Sequence, residues 1–214
     1  MSFKLYFAPG ACSFVPHAML EIAGASFEPV MVKLHKGEQQ TPEYLAINPR
    51  GQVPVLVHDG VVITQILAII SYLSDQFPDP QFLPNAPLAK AKTLERLAWF
   101  NNTVHTTFTH FYMPQKFGRS DAAKADMQAF ATERYLPLLQ EIDALAAQAA
   151  PWIGCAQIGP LDLYALTLMR WGGYAGIDPT QFAHLWPHTN RVAAHPAVAR
   201  AVERERLQLN VYQP

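Results

Sequence analysis

A cysteine placed just ahead of a helix is a candidate nucleophile, and Cys12 is such a residue. It follows a Pro9-Gly10 turn and stands one position before Ser13, where Val15, Ala18, Met19 and Ile22 begin a helical pattern that closes at Gly24. The unpaired N–H groups and positive dipole end of that helix favour an anion, so the setting would stabilise a thiolate, the reactive form of the side chain. The competing reading is a packed thiol, since free cysteine is among the residues most often buried. Ser13 is similarly open: its hydroxyl would cap the helix or hydrogen-bond a bound thiolate.

Two further segments could hold a small peptide. In Asn48-Pro49-Arg50-Gly51-Gln52-Val53-Pro54-Val55-Leu56 a proline enters a strand, which places it at the strand start or on an edge. If Val53-Pro54 is cis, the backbone N–H and C=O of Val53 face outward, free to pair with a peptide laid alongside. Thr64-Gln65-Ile66 opens a helix whose free N–H groups can receive a carboxylate, with Thr64 as a simple N-cap the plainer alternative.

The elements that must position these residues follow from pattern. Residues 3–7 read as a buried strand, Phe27–Leu34 as a second strand, and Thr41-Pro42 as a helix start. Val53–His58 and Val61–Ile63 flank Asp59-Gly60, a strong hairpin signal, and a helix runs from Thr64 to Gln76. The proline-studded stretch from Pro78 to Pro87 is a stiff connector. Beyond it the period is helical: from Leu88 to about Phe117, then Ala122–Ala149 with Pro137 expected to kink or divide it. Leu161–Trp171, apolar nearly all round, is the expected central helix, and a last helix runs from His195-Pro196 to about Leu207. Asp178-Pro179 and Trp186-Pro187 start shorter segments. The expectation is an α/β domain over 1–79, a connector over 80–87 and an all-helical domain over 88–214.

The bulk composition narrows the function. Half of the 214 residues are hydrophobic and only 15% are charged, which suits a large core with some surface buried against a partner. A formal net charge of -1 without charge runs gives no basis for nucleic-acid or membrane-surface binding. Arg200–Arg206, where Arg and Glu alternate, reads as a solvated helix face. No apolar stretch approaches the roughly 20 residues of a membrane span, and the short N-terminal apolar run lacks the form of a secretory signal, so the cytoplasm is expected. Two cysteines, Cys12 and Cys155, make no disulfide framework, and no C-x-x-C supports a dithiol redox protein.

Pro9-Gly10-Ala11-Cys12-Ser13, then Asn48-Pro49-x-Gly51-Gln52-Val53-Pro54, then the Thr64-Gln65 helix start resemble the cytosolic glutathione transferases, most closely the cysteine-bearing bacterial beta class. The resemblance spans essentially the whole chain, including Trp152-Ile153 and Asp162. It implies a thioredoxin-like N-terminal domain followed by a helical-bundle C-terminal domain, usually in a homodimer, with glutathione as co-substrate and no metal. Cys12, with Ser13, corresponds to the position that meets the glutathione sulfur. Val53 before Pro54 pairs with its cysteinyl part, and Gln65 with the N–H of Ile66 receives its γ-glutamyl end. Ala11, Lys36 and Gln52 complete the implied glutathione contacts, and His105 matches a histidine approaching the thiol from the helical domain. By itself His105 reads as a partly exposed helix residue among Asn101, Asn102 and Thr106. The implied activity is conjugation of glutathione to a small hydrophobic electrophile, or thiol exchange through a mixed disulfide on Cys12. Phe14, Phe108, Phe111, Tyr112, Met113 and Trp171 are the candidate electrophile wall, and Tyr6 belongs to the core or lies behind the site.

The chain departs from the family pattern at four positions, three of them at the implied site. Ile66 stands where a small hydroxyl residue is usual, a loss of one hydrogen bond worth about 1.5–3 kcal/mol. Ala98 replaces an asparagine and Thr106 a basic residue. These changes motivate the alternative of a non-catalytic binding or scaffold protein on the same fold. Gly159 in a later helix cap is a mild change, because Pro160 suits the first helical position and Asp162 can still reach back.

Overall fold

Alternation in the first strand sets the architecture. In the computed structural model, which describes residues 2–214, Phe3, Leu5 and Phe7 of β1 (Phe3–Phe7) are buried while Lys4 and Tyr6 are half-exposed, so one face turns to the core. β2 (Phe27–Met31) runs parallel to β1 on one side; β3 (Val55–His58) runs antiparallel on the other and pairs through the Asp59-Gly60 turn with β4 (Val61–Thr64). The sheet order is therefore β2-β1-β3-β4. Helix α1 (Phe14–Ile22) is buried from Phe14 to Glu21, because it lies between α3 (Ile66–Gln76) and two helices of the second half. In α2 (Pro42–Ile47) Thr41 accepts the Tyr44 N–H at 3.3 Å and Pro42 occupies the first position, as the sequence indicates.

The second half is helical: α4 (Pro87–Trp99), α5 (His105–Tyr112), α6 (Asp121–Ala147), α7 (Pro160–Tyr174), α8 (Leu185–Ala194) and α9 (Pro196–Glu205). No strand follows Thr64 among the described residues. α7 is buried from Pro160 to Gly173, which makes it the central helix. Its N-terminus is fixed by Asp162, whose carboxylate accepts the N–H groups of Gly159 (2.9 Å) and Ile153 (2.8 Å) and pairs with His188 Nε2 (2.9 Å). Glycine at the cap thus leaves this anchor intact.

Several sequence expectations are corrected. β2 ends at Met31 and Leu34–Lys36 form a 3-10 turn instead of more strand. α6 runs unbroken through Pro137 rather than dividing there. α8 begins at Leu185, ahead of Trp186-Pro187. The helix expected over 88–117 is interrupted by a π-helical turn, Phe100–Val104, in which the His105 N–H reaches back to Phe100 O. The largest correction concerns α9. Arg200, Glu203, Arg204 and Arg206 are exposed as expected, but Glu205 is buried, and Arg200 and Arg204 both reach Glu21 of α1 at 2.8 Å. The charges alternate because α9 closes over α1, a contact between chain ends that local pattern does not carry.

Candidate functional site

The Cys12 loop is held from both chain ends. Gly10 donates its N–H to Glu205 Oε2 at 2.8 Å and its carbonyl accepts the Trp171 indole N–H at 2.8 Å. Glu205 Oε1 in turn meets His17 Nδ1 on α1 at 2.7 Å, both side chains fully buried. Gly10 has φ +70°, and a Cβ there would stand 2.6 Å from Arg170 Nη1, so glycine is favoured on both counts. Ser13 is spent inside the same turn, its hydroxyl donating to Ala8 O at 3.2 Å and accepting the Ala8 N–H at 3.1 Å. It neither caps α1 nor stands free for a bound thiolate; the side chain braces the loop instead.

Cys12 is buried, and its Sγ lies 3.7 Å from the Val53 carbonyl. Burial pushes its thiol up to about 12, the N–H groups of Cys12 and Ser13 pull the other way, and Glu205 adds a smaller upward push. Burial thus works against the thiolate that the helix end was expected to favour, and the thiol is pushed up rather than down.

The motif around Val53 explains itself in the structure. Val53-Pro54 is cis. Asn48 Nδ2 and Tyr44 OH both donate to Gln52 O, at 2.7 and 2.8 Å, and Asn48 Oδ1 accepts the Arg50 N–H at 3.2 Å. Gly51 has φ +59°, and a Cβ there would meet Gln39 O at 2.9 Å and collide with Gln40 Nε2. Asparagine and glycine at these spacings therefore shape the turn that delivers Val53.

At the third segment the helix cap is Gln65, not Thr64, which ends β4. Gln65 adopts φ +71°, a costly conformation for a residue with a Cβ, and makes no side-chain cap. The first N–H groups of α3 are left open to an anion. The Ile66 side chain turns inward and is only 6% exposed, so its bulk joins the core and does not crowd the helix end. Lys36 and Gln52 are exposed and Ala11 half-exposed.

His105 lies beyond the π turn. Its Nδ1 is 2.8 Å from Tyr164 OH, and that hydroxyl donates to Asn101 Oδ1 at 3.2 Å. With the Tyr164 hydroxyl donating to Asn101, the matching tautomer has Nδ1–H donating to Tyr164 and the lone pair on Nε2. Burial, with Lys116 adding to it, pushes His105 down to about 4, so the ring is neutral at pH 7. Its ring packs on Trp171 at 4.7 Å between centroids, and Trp171 stacks on Phe108, also at 4.7 Å. Of the expected electrophile wall, Phe111, Tyr112 and Met113 reach the surface. Phe14 is 1% exposed and belongs to the core, while Phe108 and Trp171 are buried behind Tyr112. Tyr6 packs edge-on against Tyr44, in a small cluster with Val32 and Val55.

Residues 1–75 match the family model for the glutathione S-transferase N-terminal domain. The chain is 32% identical to glutathione S-transferase GstA of Escherichia coli O157:H7, over 96% of this chain and all of that one. The chain belongs to the glutathione S-transferases. Among solved structures, a sphingomonad glutathione S-transferase complexed with glutathione is 31% identical at a TM-score of 0.81, covering 96% of this chain and all of that one. The bacterial beta class glutathione S-transferase of Sphingomonas chungbukensis is 30% identical at a TM-score of 0.82, with the same coverage. The protein is thus a glutathione transferase, with the thioredoxin-like sheet followed by helices that the sequence indicates, and the scaffold alternative loses its ground.

Within this transferase, sequence reasoning missed Glu205, Tyr164 and the π turn. Only the last left a trace: Asn101-Asn102-Thr103-Val104 is a run of poor helix formers inside a helical stretch. Among the described residues no helix is long and apolar enough to cross a membrane.

Proposed function

We propose that this transferase binds glutathione along Val53 and the start of α3, and conjugates it to an electrophile lying against Tyr112 on the helical side. Cys12 then serves as a thiol donor rather than as a nucleophile. The observation that carries the reading is the 3.7 Å approach of Cys12 Sγ to the Val53 carbonyl. Val53, whose carbonyl accepts from Cys12 at rest, would pair instead with the cysteinyl N–H of a bound glutathione. That brings the glutathione sulfur beside a protonated Cys12, whose single S–H then turns from Val53 O to the incoming thiolate and stabilises it by donation. The γ-glutamyl carboxylate falls to the open N–H groups of α3 with Gln65, and the glycyl carboxylate to Lys36, with Ala11 and Gln52 completing the wall. Neutral His105, its Nε2 lone pair free, orients the incoming thiol from the helical side. A protonated, buried Cys12 is a poor attacking thiol, which weighs against the mixed-disulfide route. Exposed Val61 and Val62 on β4, and Leu88 and Leu94 on α4, support a homodimer. A cytoplasmic location and a detoxifying role accompany the reading, supported by family membership alone.

Calorimetry with reduced glutathione on the native protein and on Cys12→Ala tests it. Native binding at millimolar glutathione or tighter is expected. In Cys12→Ala the bound glutathione thiol, read by thiolate absorbance, is expected to titrate about one unit higher, a tenfold loss of thiolate. No native binding overturns the proposal. A single glutathione adduct on Cys12 after treatment with glutathione disulfide transfers the case to thiol exchange.

A further inference from the structure

A groove of about 580 Å3 lies between α7 and the chain after α9, lined among others by Arg170, Tyr174, Arg206, Asn210 and Tyr212, with no acidic side chain in its wall. Arg170 is nine-tenths buried, at 9% exposure. Its Nε donates to Gln208 O at 2.7 Å and its Nη2 to Tyr174 OH at 2.9 Å, and its guanidinium lies 5.3 Å from the Tyr174 ring centre. None of these partners carries a negative charge. The contrast is within the same region: Arg200 and Arg204 share the carboxylate of Glu21. A buried cation without a counter-charge is costly, and an anion entering the groove would remove that cost. Arg206 supplies a second, exposed guanidinium at the end of α9, held at φ +52°.

The groove adjoins the thiol loop and the helical wall. Arg170 Nη1 abuts Gly10, two residues before Cys12. Tyr174 packs 6.0 Å from Tyr112, the surface residue of the expected electrophile wall. We infer that the groove selects the second substrate: an aromatic or planar unsaturated carboxylate, its ring against the exposed side of the Tyr174–Tyr112 pair and its carboxylate on Arg170 and Arg206. Guanidinium forks match carboxylate oxygens in pairs, and the volume falls within the range of small-molecule sites. The assignment rests on the proposed glutathione site, which places the carboxylates of glutathione elsewhere and leaves the groove for its co-substrate. It sharpens the hydrophobic electrophile into one with an anionic end.

The test is calorimetric binding of 3-nitrobenzoate and of methyl 3-nitrobenzoate at saturating glutathione, with native protein, Arg206→Gln and Arg170→Met. The native protein is expected to bind the acid at least tenfold more tightly than the ester, the weight of one hydrogen bond to a charged group. Arg206→Gln, at an exposed position that leaves folding intact, is expected to bring the two within about threefold of each other, and Arg170→Met to do the same if circular dichroism shows it folded. Equal native affinities for acid and ester, or a preference unchanged in Arg206→Gln, overturn the inference. A parallel titration with glutathione alone separates the two readings: if glutathione binds and the acid is not preferred, only the groove assignment falls; if glutathione does not bind, the proposed function falls and takes the assignment with it.

Discussion

Glu205, near the end of the last helix, accepts the backbone N–H of Gly10 at 2.8 Å, across 195 residues of sequence. The same carboxylate meets His17 at 2.7 Å in full burial. Removing one member of such a pair leaves the other unbalanced, so Glu205→Ala is expected to cost about 3–5 kcal/mol in urea unfolding. Glu205→Gln keeps an acceptor for Gly10 and should lose less. Equal losses in the two variants would show that Gly10 gains nothing from the carbonyl-type acceptor.

Cys12 is expected to resist alkylation. With its thiol pushed up to about 12 from an ordinary 9, thiolate at neutral pH falls about a thousandfold below that of a free cysteine. Iodoacetamide labelling of the glutathione-free protein, followed by peptide mass spectrometry, should modify the half-buried Cys155 first. Fast labelling of Cys12 at pH 7 would contradict its protonated state.

His105 should impose an acid dependence on stability. Its native value, pushed down to about 4, lies below the ordinary 6.5. Between those limits the unfolded chain binds the extra proton. Stability supplied by the neutral ring is therefore complete above about pH 6.5 and is lost as pH falls towards 4, by at most about 1.4 kcal/mol per pH unit. Urea midpoints across that window should flatten in His105→Asn relative to the native protein.

Ile66 offers a stability readout at a site residue whose side chain faces the core. Because its side chain is buried in the core, Ile66→Ser is expected to lower stability by about 2–4 kcal/mol, in the range of large-to-small core changes. A neutral urea midpoint would mean that the side chain is not packed as described.

Legibility followed the range of the interactions concerned. The Asp59-Gly60 hairpin, the Thr41-Pro42 helix start and the apolar α7 were readable because turn chemistry and periodicity act over a few residues. The upward push on the Cys12 thiol was not legible because the helix-end argument is local, whereas its desolvation comes from the whole surrounding core. Phe14 looked like a pocket residue and proved to be core, since α1 is enclosed by α7 and α9 as well as α3. Glu205 was invisible for the same reason: alternating charge is the signature of a solvated face until a second helix covers it. Gln65 carried no warning at all, as nothing in Thr-Gln-Ile announces a positive φ.

The closure of α9 over the Cys12 loop also defines what can be exchanged between relatives. A chimaera that joins the sheet of this protein to the helices of another would replace Glu205, Trp171 and Arg170 together, and the Gly10 turn would lose all three of its neighbours. The thiol loop is therefore inherited as one piece with α7 and α9, and the smallest transplantable unit comprises two stretches of chain from opposite ends of the sequence.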